Sequence, residues 1–274
     1  MNKIRPVILN AIIAIVLFLV ISVAYMFPSL EGKSLHQGDI VQYQGSSKEV
    51  VDFREKTGQE TLWTNSMFSG MPTYLIAAKF KSNLLRIFHY IFILDNWRPV
   101  CFVFLYLLGF YLALLAFGVN RIVSIVGAIA YAFSSYFFVI LIAGHNAKAL
   151  ALGYLPPIIA GVYLAFKGKY LLGSVMMGFF LSLQILIIHF QITYYTFLII
   201  LLLGIVELIY VIKEKKYKQF LTAVGCLVIA ALLAIASNFA SLWTTQEYGK
   251  YSIRGKSDLT MNAEVKTSGL DKDY

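Results

Sequence analysis

Residues 170–212 read YLLGSVMMGFFLSLQILIIHFQITYYTFLIILLLGIVELIYVI. The stretch is 43 residues long and its polar interruption falls at His189 and Gln191. As one helix it would run about 64 Å, roughly twice the hydrocarbon thickness of a bilayer. Two helices turning near His189-Phe190-Gln191 are therefore predicted. The preceding stretch, 122–166, divides likewise at Gly144-His145-Asn146-Ala147-Lys148.

Further apolar runs cover 7–27, 99–119 and 219–240, each close to the ~20 residues that a spanning helix needs. The expected fold is an all-α polytopic membrane protein with about seven transmembrane helices and a large first extracytoplasmic loop. Residues 1–27 form the first transmembrane helix and 28–98 the extracytoplasmic loop. Residues 99–240 form a six-helix transmembrane bundle, and 241–274 a second extracytoplasmic segment. Ser22-Val23-Ala24 resembles a signal-peptide cleavage site, but the run continues through Tyr25-Met26-Phe27 and its length suits an anchor.

Composition agrees with a membrane protein. Apolar residues make up 59% of the 274 and charged residues 14%, with mean hydropathy +0.74. A soluble domain is nearer ~45–50% apolar and ~25% charged. Cys101 and Cys226 lie in apolar runs, which excludes a disulfide scaffold, and four scattered histidines make no zinc signature. The net charge of +9 comes with no aromatic-basic groove or helix-turn-helix pattern, so nucleic acid is not an expected partner.

The basic residues instead set orientation. With the N-terminus inside, segments 1–6, 120–121, 167–169 and 213–218 are cytoplasmic. They hold Lys3, Arg5, Arg121, Lys167, Lys169, Lys213, Lys215, Lys216 and Lys218, whereas the short outer turns hold only Lys148. Glu207, near the cytoplasmic end of its span, is read as snorkelling or pairing with Lys215 or another nearby base.

This topology collects polar chemistry on the outer face. Its turns carry His145, Asn146, Lys148, His189 and Gln191, and the first span is followed by His36-Gln37-Gly38-Asp39-Ile40-Val41-Gln42-Tyr43. Asp39 has the chemistry of a general base toward an acceptor hydroxyl. As a hard ligand it could hold Mg²⁺ or Mn²⁺ only with a second acid such as Asp52, Glu55 or Glu247, and the plainer reading is a solvated loop acid. Lys148 and His145 suit a phosphate; Arg86 and Arg98 are other cations that could meet one. Trp63-Thr64-Asn65 joins an aromatic face to an amide, as carbohydrate sites do, or forms a turn packed on the interface. Residues 82–94 suggest an interfacial or core helix with Leu84, Leu85, Phe88, Ile91 and Phe92 on one face and Arg86 and His89 near the other.

Three segments carry a family resemblance. Gly38-Asp39-Ile40-Val41-Gln42-Tyr43 resembles the GD-x-x-Q-Y signature of bacterial YfhO-family membrane proteins. Leu62 to Pro72 is similar to that family's tryptophan-asparagine and glycine-proline stretch. Ala130 to Tyr136, followed by His145 and Pro156-Pro157, also fits. The family resembles GT-C glycosyltransferases, so the resemblance implies transfer of a sugar from a polyprenyl-phosphate carrier to an extracytoplasmic glycan or polymer acceptor.

By that resemblance Asp39 is the candidate catalytic residue; on the outer face Gln42, Trp63, Asn65, His145, Lys148, His189 and Gln191 are the candidates for binding substrate. The cell location is the bacterial cytoplasmic (inner) membrane. Many GT-C enzymes pair two acids where this chain has Asp39-Ile40, so no cofactor is certain and a divalent cation (Mg²⁺ or Mn²⁺) stays open. Family members are longer, and the chain is read as an N-terminal portion. The rival readings are a non-catalytic transporter or lipid-handling protein, and an envelope-assembly scaffold.

Overall fold

The computed structural model describes residues 4–77 and 83–252, with side chains from residue 9 onward. Lys3, the Arg5 side chain and residues 253–274 of the expected second extracytoplasmic segment lie outside the described residues. The described chain is helical apart from one two-stranded hairpin. Its helices are α1 (Ile4–Tyr25), α2 (Gly38–Thr57), α3 (Leu85–Phe92), α4 (Val100–Ala116), α5 (Arg121–Ala132), α6 (Ser135–Ala143), α7 (Asn146–Phe166), α8 (Tyr170–Leu186), α9 (Phe190–Glu214), α10 (Tyr217–Ala236) and α11 (Phe239–Gly249). The hairpin pairs β1 (Trp63–Thr64) antiparallel with β2 (Met71–Pro72).

Three helices, α7, α9 and α10, are long and apolar enough to cross a membrane. The pair α5–α6 makes a fourth if it is counted as one span, broken by a 42° bend. Leu9–Tyr25 of α1, α4 and α8 are apolar but shorter. The bend falls where Ser134 adopts an extended backbone, φ −60° and ψ 134°, so the expected span 122–143 is two helices. The predicted turns at 144–148 and 189–191 are present as breaks between α6 and α7 and between α8 and α9.

Helix α7 is the hub. It packs most closely on α8 and α4, and α8 in turn packs on α10. Small residues make these crossings possible. A Cβ on Gly161 of α7 would come within 2.5 Å of the Met177 backbone nitrogen, and one on Gly173 of α8 within 2.4 Å of the Ala165 nitrogen. Between α4 and α7, a Cβ on Gly109 would sit 2.4 Å from the Gly153 carbonyl oxygen. Such close backbone approach replaces the hydrophobic drive that is missing between helices in lipid. Gln184, fully buried in α8, donates to the Ala151 carbonyl of α7 at 2.9 Å.

Helix α1 presents one narrow stripe, Ala14, Phe18 and Ser22, to the bundle. This spacing of four residues keeps them on one face, and Phe18 meets Tyr111 of α4 edge to face at 5.2 Å. Helix α9 is nearly detached: only 11% of its most apolar window is buried, against 72% for α7. A helix this apolar and this uncovered needs lipid around it.

Ring contacts and turns define two ends of the bundle. At one end Phe117 meets Tyr163 at 5.0 Å and Phe166 stacks on Phe220 at 5.7 Å. Arg121, Lys167, Lys169 and Lys213–Lys218 flank the turns there. The opposite end carries the start of α2, the α6–α7 turn and the α8–α9 turn.

Candidate functional site

The site begins with a clasp. Gln37, buried just ahead of α2, donates from Nε2 to the Leu141 carbonyl and to Asn146 Oδ1, the latter at 3.0 Å. Asn146 Nδ2 donates back to Gln37 Oε1 at 3.2 Å. This reciprocal amide pair satisfies both buried side chains and fixes the start of α2 on the α6–α7 turn. Gly144 ends α6 at φ 93°, and a Cβ there would come within 3.0 Å of the Asp39 Cβ. A left-handed glycine therefore permits both the turn and the contact.

The clasp sets Asp39 in the first turn of α2, where the helix dipole favours a carboxylate. His145 Nδ1 lies 3.3 Å from Asp39 Oδ2, and both side chains are about half exposed, at 51% and 53%. The pair is therefore anchored from behind and open in front. Lys148, one turn further along α7, places Nζ 5.4 Å from the centre of the Tyr136 ring. His189 precedes α9 at the neighbouring turn, with Nδ1 enclosed and without a partner among the described residues. Burial holds the His189 pKa below its usual value, and the nearby Lys148 and His145 charges push the same way. Asp39, His145, Lys148 and His189 are thus brought to one corner.

Gln42 lies on exposed α2 one turn from Asp39. Gln191 is exposed and donates to Tyr195 Oη at 3.0 Å. Trp63 and Asn65 are elsewhere. Their hairpin is held by Glu49, whose Oε2 accepts from Thr64 Oγ1 and from the Asn65 and Ser66 backbone N–H groups at 3.0 and 2.9 Å. Glu49 follows Asp39 by ten residues of helix, ~15 Å at 1.5 Å per residue. The Trp63 indole N–H is directed to Asn65 Oδ1 at 3.2 Å. The two residues form a self-contained turn with half-exposed Trp63 and do not join the Asp39 corner. The Thr64 hydroxyl, then the Ser66 N–H, hold the Glu49 carboxyl below its ordinary pKa.

Helix α3 corrects the expected disposition of residues 82–94. Leu84, Ile87 and Ile91 face outward, whereas His89 turns inward and shares a 2.8 Å hydrogen bond with Tyr154 of α7. The buried Tyr154 hydroxyl needs a partner, and that need overrides the apolar face read from sequence. Burial, with Arg86 and Arg98 nearby, pushes His89 down to about 4. Arg86 and Arg98 therefore belong with His89, leaving Lys148 as the cation in the first turn of α7, three residues after His145.

Beside His189 opens an apolar groove of about 760 Å³ between α7, α8, α9 and α10, lined by Met177, Ile185, Phe190, Thr193, Phe197 and Phe220 among others. Gln37, Gly144 and Tyr136 lie inside the stretches quoted from the sequence, but no role for them is legible there, because no periodicity marks a polar clasp. Among the described residues no group of three or more His, Cys, Asp or Glu side chains could hold a metal. The Asp39 corner offers one carboxylate beside an imidazole; Mg²⁺ held by so few protein ligands takes its remaining oxygens from water and substrate phosphates. No family model, curated protein or solved structure matches the chain.

Proposed function

We propose that this chain is a seven-span membrane glycosyltransferase of YfhO-like, GT-C-like architecture, acting on a polyprenyl-phosphate-linked sugar at the face opposite its basic turns. The observation that carries this reading is Asp39 held 3.3 Å from His145, in a corner shared with Lys148 and His189. In this mechanism the Asp39 carboxylate takes the proton of an acceptor hydroxyl as its oxygen bonds to the anomeric carbon. The bond from that carbon to the carrier phosphate breaks, and the phosphate leaves with the electron pair. Lys148 offsets the charge on the leaving phosphate, and His145 holds the carboxylate in position. The end of the apolar groove beside His189 offers a bed for the first prenyl units.

The test is loss of radiolabelled sugar from polyprenyl phosphate in membranes containing the protein, with Asp39→Asn at matched expression. Turnover that falls by at least ~10²-fold supports a general base at Asp39. Equal turnover by both proteins removes Asp39 from the mechanism. A second reading, lipid handling without chemistry, is favoured by the same groove. It predicts lipid binding by both proteins and sugar release by neither.

A further inference from the structure

At the basic end, the last turns of α9 meet the end of α7 and the start of α10 around a polar hollow of about 230 Å³. Lys167, Glu207, Tyr210, Lys216 and Gln219 line it. Its apolar wall is Phe166 and Phe220, stacked at 5.7 Å and 5° between ring planes. Those two rings also line the end of the 760 Å³ apolar groove. A polar hollow and a hydrocarbon groove thus share one wall, which is the outline of an amphiphile.

The charges narrow the occupant. Glu207 and Glu214 stand against Lys167 and Lys216, and Lys213, Lys215 and Lys218 on the same turn leave this end with a positive excess. Neither Lys167 nor Lys216 is held in a short ion pair. Lys216 Nζ lies 3.4 Å from Tyr210 Oη and 3.6 Å from Glu214 Oε2, and Lys167 Nζ lies 5.4 Å from the centre of the Tyr163 ring. Helix α10 starts at Tyr217, so its unpaired first-turn N–H groups add a positive helix end. Glu207 and Gln219 supply acceptors for hydroxyl donors. A free phosphate would leave the groove without a role, and a hydrocarbon would leave the lysines without one.

We infer that this hollow binds the headgroup of an anionic, hydroxyl-bearing glycerophospholipid from the leaflet at the basic end, with an acyl chain in the end of the groove walled by Phe166 and Phe220. The positive-inside rule makes this the cytoplasmic leaflet. The phosphodiester lies between Lys167 and Lys216, and the headgroup hydroxyls donate to Glu207. The lipid fastens α9, which has little protein contact of its own. This inference requires membrane embedding but not sugar transfer, so the two stand or fall separately.

The full chain, purified and delipidated in detergent, is titrated with phosphatidylglycerol, and retained lipid is counted by native mass spectrometry. Phosphatidylcholine, inorganic phosphate and polyprenyl phosphate are the comparators. Phosphatidylglycerol retention is expected to weaken about tenfold in Lys167→Gln/Lys216→Gln and to change little in Lys213→Gln/Lys218→Gln. The site is overturned by equal loss in the two double variants, or by equal binding of phosphatidylcholine. Displacement by inorganic phosphate would make it a phosphate site, and polyprenyl phosphate retention that falls in Lys167→Gln/Lys216→Gln would make it a carrier site; either overturns the assignment. Glu207→Gln tests the site without touching the lysines. It should abolish any preference for phosphatidylglycerol over phosphatidylmethanol, which has the same charge and no hydroxyl, and an unchanged preference overturns the role of Glu207.

Discussion

A Cβ on Gly144 would come within 3.0 Å of the Asp39 Cβ and 3.2 Å of the Gln37 Cβ, at a φ of 93° that L side chains rarely adopt. Gly144→Ala should therefore lower stability by about 1–2 kcal/mol and reduce sugar transfer by displacing Asp39. Gly45→Ala, with open space around it on α2, should be neutral or slightly stabilising; thermal melts of both variants check this. Gln37→Ala strands the buried Asn146 amide and should cost about 1–3 kcal/mol. Adding Asn146→Ala should recover part of that loss in a double-mutant cycle. Glu49 has a pH signature. Its folded pKa lies below the reference value of 4.5, so its contribution is complete above that value and is lost as pH falls through the folded pKa. Hydrogen-exchange protection factors at Asn65 and Ser66, which are corrected for the intrinsic pH dependence of exchange, should fall across that acidic window, and Glu49→Gln should remove the dependence. A flat profile in the parent protein would sink this account of the hairpin.

Between helices, the close contacts of α7 with α8 give a direct comparison. Gly161→Val drives a side chain into the α8 backbone, whereas Gly204 on α9 has nothing within 4 Å. The first substitution should lower the melting free energy by about 1–3 kcal/mol and the second by much less; similar losses would deny that α7–α8 packing holds the bundle. The helical elements show what sequence could and could not reveal. Apolar run length located α7, α9 and α10, and the polar interruptions at 144–148 and 189–191 located their turns, because hydrocarbon tolerates few unpaired polar groups. The break at Phe133-Ser134 carries neither Pro nor Gly and left no signal. Helix α2 was hidden in polar sequence with little periodicity. The meeting of Asp39 with His145 was foreshadowed by topology, whereas the inward turn of His89 depended on a tyrosine hydroxyl 65 residues away.

For the whole molecule, the proposed seven spans put Gln191 and Lys215 on opposite sides of the membrane. In a background with Cys101→Ala and Cys226→Ala, a membrane-impermeant maleimide should label Gln191→Cys in intact cells and Lys215→Cys only after the cells are opened. Labelling of both from one side would overturn the span count. The bundle also has a built-in order of events. Gln37 and Asn146 are 109 residues apart, and during synthesis the first emerges long before the second. Until the α6–α7 turn is made, the first loop has no partner for its amide and Asp39 no neighbouring imidazole. The corner is thus absent from every nascent chain that has not yet reached Asn146, so a ribosome stalled before that point holds an anchor without its polar corner.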